Sequence, residues 1–312
     1  MPSLTAIRAL NATLKRSTSH IPVAIFVGGT SGIGQGMAEI FAANTKGNSH
    51  IVIVGRNRTA AEKILSSFPK PDSGSVNREF VQCDVTLMKN VHQATTEILG
   101  RYPKINYLVM SPGVATLEGR NETAEGIDKK LAVHYYARWK FLRDLLPALQ
   151  KAKDEGEEVA VMSVLGPGYG GAINVDDLAL KKGYSLSNVA LIAPTYNDLM
   201  MESFAVQDPR IPFIHSCPGF VRTPIATSST SWLLRKTSGL VMALTRPLSV
   251  SPEECAQYMW YGINSTATTP GAWRIGEKGD DLKKKRYFGD EEQRTKLWEH
   301  TTEVMMGALI TS

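Results

Sequence analysis

The sequence predicts a doubly wound α/β fold with a single parallel sheet, on three observations. Short β-branched apolar runs alternate with segments of helical character from about residue 20 to residue 225. Those runs are apolar throughout, as strands covered on both faces are, and only helical crossovers join parallel strands. The first run leads directly into a glycine-rich turn that opens a helix, the order of a Rossmann-type unit.

Each element has its own signal. Leu4, Ile7, Leu10 and Leu14 recur at helical spacing, so residues 1–20 read as a short helical extension packed on the body. Residues 21–27 (IPVAIFV) form the first strand, and MAEIFAA continues the helix after the turn. Residues 50–54 are a second strand. Thr59 and Glu62 then have the spacing of a capping box, with Ile64 and Leu65 on the helix it starts. Strands at 80–83, 107–110, 159–162 and 211–215 alternate with helices at 87–102, about 131–149 and about 184–205. Beyond residue 224 the pattern loosens. Ser251-Pro252-Glu253-Glu254 starts a helix, residues 272–275 suit a seventh strand, and residues 290–293 open a last helix carrying Leu297, Trp298 and Met305. No repeat or linker divides the chain, so residues 21–312 read as one domain with a C-terminal helical extension.

The 312 residues, 43% hydrophobic and 21% charged, exclude disordered, collagen-like and coiled-coil classes. The net charge of +5 is scattered, so no nucleic-acid partner is expected, and an acidic cofactor explains the balance as well. Lys283–Arg286, beside Tyr287 and Phe288, reads as a solvated loop. Cys83, Cys217 and Cys255 lie far apart without CxxC spacing or nearby histidines. No metal site is therefore expected, and the odd count suits a reducing compartment. The N-terminus lacks the apolar core of a secretory signal, and no apolar run is long enough to span a bilayer. The expectation is a cytoplasmic protein; association into a homo-oligomer is left open.

The chemistry concentrates in Val27-Gly28-Gly29-Thr30-Ser31-Gly32-Ile33-Gly34. Glycines there permit positive φ and close backbone approach, while the helix N-terminus presents free N–H groups to a pyrophosphate. At the end of the second strand, Gly55-Arg56-Asn57-Arg58 replaces the acidic residue that would bind the adenosine ribose. A guanidinium there suits a 2′-phosphate, which points to NADP(H), with Arg58 as a second contact; a surface arginine in a turn is the other reading. Asp84 is placed either to meet an adenine edge or to cap the next helix.

On these residues, from about 20 to 225, the chain resembles the short-chain dehydrogenase/reductase family. The glycine turn looks like that family's TGxxxGIG with Val27 in place of Thr, and Asp84-Val85 looks like its adenine-site pair. The segment Pro218-Gly219-Phe220-Val221-Arg222-Thr223 is similar to its PG segment. The resemblance implies that Thr223 meets the nicotinamide carboxamide, with Pro218 and Val221 beside the cofactor. The family's NNAG reads Met110-Ser111-Pro112-Gly113, which brings Gly113 to the cofactor. Residues 176–188 resemble fungal, retinol-dehydrogenase-like reductases of secondary metabolism.

The same resemblance implies that Ser163 holds the substrate oxygen and Tyr184 exchanges its proton, Tyr184 also touching the cofactor. The position of the family's lysine is Asn188, and that of its helix-four Asn is His134. Asn188 can hydrogen-bond ribose hydroxyls but carries no charge; His134 is either a proton relay or a satisfied buried histidine. Lys181 and Lys182 precede Tyr184, and Tyr196 has Met200 where a lysine would stand. Residues 223–245, apolar around Arg235-Lys236, are expected to form a lid over a hydrophobic small-molecule substrate; a membrane-surface patch and a packed helix are its rivals. The resulting reading is an NADP(H)-dependent oxidoreductase acting on a carbonyl or alcohol of an apolar, polyketide- or terpenoid-like metabolite. Its alternative is a cofactor-binding protein of this fold that has lost redox chemistry, a regulator or a non-redox isomerase or cyclase, because of Asn188.

Overall fold

A computed structural model describes residues 2–13, 20–72, 74–225 and 229–310. Seven strands form one sheet: β1 (Val23–Val27), β2 (His50–Gly55), β3 (Arg78–Gln82), β4 (Tyr107–Met110), β5 (Ala160–Val164), β6 (Pro212–Ser216) and β7 (Gly271–Ile275). Their order is β3-β2-β1-β4-β5-β6-β7 and every pairing is parallel. The order reverses between β1 and β4, so a crevice opens at the carboxyl ends of these strands. Register aligns those ends: Val27 pairs with Val54 and Met110, Met110 with Ser163, and Ser163 with His215.

Burial on both faces explains the unbroken apolar runs. All of β1 is buried, as is β2 from Ile51 onward. One face is covered by α2 (Gly32–Asn44), α3 (Arg58–Ser67) and α9 (Pro252–Tyr261), where Phe41 stacks on Trp260 at 5.3 Å. The other carries α4 (Met88–Arg101), α6 (Ala137–Asp154), α7 (Leu186–Gln207) and α10 (Glu291–Ile310). Trp298 of α10 packs its ring on Trp139 of α6 and Phe204 of α7, with centroids 5.0 and 5.1 Å apart. The N-terminal α1 (Leu4–Thr13) buries Ile7 and fastens to α9 through Asn11, whose amide donates to the Gln257 carbonyl at 2.9 Å. Leu10 is exposed, and Leu14 lies outside the described residues.

Several boundaries differ from those expected. α3 starts at Arg58, and Asn57, not Thr59, is its cap, accepting from the Ala60 N–H at 3.0 Å. The helix expected at 131 begins two residues earlier, with α5 (Lys129–Leu131), capped by Asp128. It runs through π-helical residues Ala132–Tyr136 into α6, a widened turn that sequence periodicity does not reveal. α7 begins at Leu186, after Ser185, which caps the Asn188 N–H; Tyr184 therefore stands in the loop before the helix. The capping box of Ser251 and Glu254 forms as expected at α9. Within residues 223–245, α8 (Trp232–Leu244) is a helix, with Trp232 62% exposed.

Candidate functional site

The β1–α2 turn forms one wall of the crevice. Gly28 has φ +79°, and a Cβ there would lie 2.7 Å from the Pro112 nitrogen, so the turn presses directly on the loop after β4. Gly32 has φ +58°, and a Cβ would come within 3.0 Å of the Thr223 methyl group. Ser31 is the N-cap of α2, but its side chain caps nothing, so the first N–H groups of the helix remain available to an anion. Packed against this turn, where a Cβ on Gly34 would lie 2.5 Å from it, the Ser111 hydroxyl is buried without a hydrogen-bond partner among the described residues.

The crevice measures about 430 Å³. Gly28, Thr30, Ser31, Gly32, Ile33, Arg56, Asp84, Val85, Gly113 and Thr223 all line it. Gly34 sits inside α2 and does not. Val221 bridges to Val250, and the Pro218 carbonyl accepts the Cys255 thiol at 3.7 Å, so both support the wall from behind.

Arg56 stands exposed at the end of β2, with no ion pair among the described residues. Arg58 is committed elsewhere: it pairs with Glu62 at 3.7 Å and lies 4.9 Å over the Phe80 ring. Asp84 accepts from the Thr86 N–H and hydroxyl at 3.1 and 2.9 Å. The cap of α4 comes from a distant residue, Glu125, which accepts from the N–H groups of Met88 and Lys89 at 2.7 and 3.0 Å. A helix N-terminus without a side-chain cap, and a hydroxyl and a guanidinium without partners among the described residues, lie along one groove and fit a dinucleotide cofactor.

The four residues expected to carry the reaction are arranged differently from that expectation, and none lines the crevice. Ser163 is fully buried; its hydroxyl accepts from Arg138 at 2.6 Å and donates to Asn197 Oδ1 at 2.7 Å. Arg138 also donates to the carbonyls of Pro112 and Val164 at 2.6 and 2.8 Å, tying the ends of β4 and β5 together. Burial pulls this guanidinium down to about 9, so it remains charged at neutral pH.

His134 Nε2 accepts from the Val114 N–H at 3.2 Å. Desolvation, then the charges of Arg138 and Lys130, pull its pKa down to about 3. The ring is therefore neutral and, as an acceptor for a backbone N–H, holds the loop after β4.

Tyr184 is half-buried, and its hydroxyl accepts from Lys130 Nζ at 2.8 Å and donates to the Gly119 carbonyl at 3.3 Å. It makes no hydrogen bond with Ser163. Asn188 is exposed, its side chain donating to the Gly183 carbonyl at 2.7 Å. Tyr196 is buried, donates to the Leu178 carbonyl at 2.9 Å, and is pushed up by desolvation. The backbone N–H groups of Lys181 and Lys182 donate to Asp177, and both residues are exposed. Sequence reasoning missed Lys130, Ser111, Arg138 and Glu125. Only Lys130 had a legible signal, since Asp128 marks a helix start and places Lys130 one turn before His134.

The mouth of the crevice is strapped by the segment before α8. Ser231 Oγ accepts from the Leu117 N–H at 2.9 Å, and the Thr230 hydroxyl donates to Glu118 at 2.6 Å. No helix among the described residues is long and apolar enough to cross a membrane.

Comparison with known proteins agrees with this architecture. Residues 22–234 match the short chain dehydrogenase family. An oxidoreductase of Emericella nidulans is 40% identical over 229 residues, 73% of this chain and 66% of that protein, just under two thirds of its length. An oxidoreductase of Emericella variicolor is 35% identical over 271 residues, 86% of this chain and 77% of that protein. Among solved structures, an alcohol dehydrogenase from the archaeon Thermococcus sibiricus, complexed with 5-hydroxy-NADP, superposes with a TM-score of 0.59 at 15% identity, covering 82% of this chain and 96% of that one. A seven-stranded parallel sheet, a glycine turn at its switch point and these matches lead to one conclusion: the chain belongs to the short chain dehydrogenase family of oxidoreductases.

Proposed function

We propose that the chain is a cytoplasmic, NADP(H)-dependent oxidoreductase acting on a carbonyl or alcohol of an apolar small metabolite. The observation that carries the cofactor choice is Arg56, without an ion pair among the described residues at the end of β2, where Gly55 offers no carboxylate to repel a 2′-phosphate. The free α2 N-terminus takes the pyrophosphate, and Thr223 and Gly113 flank the nicotinamide end. When bound, the cofactor supplies or accepts hydride. The chain's own residues orient the substrate, and the strap of Thr230 and Ser231 limits water access. An apolar metabolite is favoured by the hydrophobic character of α8 beside the strap, and a role in secondary metabolism by the fungal relatives.

The burial of Ser163 and the outward turn of Asn188 favour one competing reading, a cofactor-binding protein without redox turnover. Fluorescence titration with NADPH and NADH, followed by a carbonyl panel read at the nicotinamide absorbance, separates the two. Turnover with NADPH is expected. Tight NADPH binding with no turnover of any carbonyl would leave the competing reading.

A further inference from the structure

Where the family resemblance leads one to expect a lysine four residues after Tyr184, this chain has Asn188, and that side chain is spent on the Gly183 carbonyl. A cation nevertheless stands at the tyrosine. Lys130 comes from α5, on the opposite side, and is only 5% exposed. Its ammonium donates to Tyr184 Oη at 2.8 Å and to the Gly119 carbonyl at 2.9 Å, and lies 5.4 Å from the centre of the Tyr184 ring. Asp128 fixes the backbone beneath it by accepting from the N–H groups of Lys130 and Leu131.

Two further observations set its role. Lys130 lines the crevice, whereas Tyr184, Ser163, Asn188 and His134 do not. An ammonium has three donors, and two are engaged among the described residues. A buried cation aligned by two oxygens, with a donor left over on a substrate-sized groove, is suited to hold a partly negative oxygen. Of the acidic residues that line the groove, neither Asp84 nor Glu118 forms an ion pair with Lys130 among the described residues: Thr86 donates to Asp84, and Thr230 and Asn121 donate to Glu118.

We propose that Lys130 is the residue that grips the substrate oxygen in the crevice, and that Tyr184 is a positioning residue that holds the ammonium in place. The proposal rests on the oxidoreductase reading only for the identity of that oxygen, the one on the carbon that gains or loses hydride. It transfers to a residue of α5 the task that the resemblance assigned to Ser163 and Tyr184.

The test uses the whole chain saturated with NADP⁺ and decanoate as the probe, a carboxylate that mimics an alkoxide on an apolar body. Decanoate binding is followed by calorimetry, and carbonyl reduction is assayed in parallel. Lys130→Met is expected to weaken decanoate at least about tenfold and to lower kcat, with NADP⁺ affinity unchanged. Lys130→Arg should retain binding within about threefold, because the charge survives. Tyr184→Phe should fall between the two and show as a loss of kcat more than of KM. Circular dichroism and the retained NADP⁺ affinity of each variant exclude a folding defect. Equal decanoate affinity in wild type and Lys130→Met, or no binding by wild type, overturns the assignment. Lys130-dependent binding without turnover of any carbonyl would instead sink the oxidoreductase reading and leave the oxygen site standing.

Discussion

Arg138 donates to the Ser163 hydroxyl across 2.6 Å, and the pair is sealed beneath the crevice. The bond converts a residue expected to face substrate into part of the clamp between β4, β5 and α7. Removing the hydroxyl leaves Asn197 Oδ1 and one guanidinium N–H without a partner in a buried setting. Ser163→Ala should therefore lower unfolding free energy by about 1–3 kcal/mol in urea denaturation. A fall in kcat of about 10²-fold or more at unchanged stability would return Ser163 to the reaction.

Arg56 sets the second prediction. A charge-assisted contact to a 2′-phosphate is worth about 1.5–3 kcal/mol, so NADPH should bind roughly tenfold or more tighter than NADH. Arg56→Asp should reverse the order by repelling the phosphate and accepting the ribose hydroxyls. Equal affinities in the wild-type chain would remove Arg56 from the cofactor site.

Gly32 supplies a geometric test of the crevice. Its φ of +58° and the 3.0 Å approach of a Cβ to Thr223 leave no room for a branched side chain. Gly32→Val should cost about 1–2 kcal/mol in backbone strain and abolish binding of both dinucleotides. Retained affinity would place the cofactor elsewhere.

His134 predicts a pH dependence. Its folded pKa, near 3, lies below the ordinary histidine value, so between pH 6.5 and about 3 the unfolded chain binds the extra proton. The contribution is fully present above pH 6.5 and is lost as pH falls, at no more than about 1.4 kcal/mol per pH unit. His50, His215 and His300 are lowered too and share the slope. His134→Gln keeps an acceptor for the Val114 N–H and should flatten the stability profile between pH 6 and 4. An unchanged slope would mean that the ring is already open to solvent protons.

The sequence by itself determined the sheet and the glycine turn. β1 and β2 are legible because strands buried on both faces must be apolar, and the turn because positive φ at Gly28 and Gly32 demands glycine. Arg56 and Asp84 were legible for the same local reason, since each follows a strand end by one or two residues. What lies beneath and beside the crevice was decided only by tertiary structure. Tyr184 and Lys130 are 54 residues apart, Arg138 and Ser163 are 25 apart, and Glu125 caps a helix 37 residues before it. Such pairings leave no periodicity in the chain: packing brings the side chains together, and a buried polar group must take whatever partner the fold delivers. Asn188 and Ser163 show the converse, since matching positions in sequence did not bring them to the crevice. A capped helix start turned one outward and a buried guanidinium drew the other in.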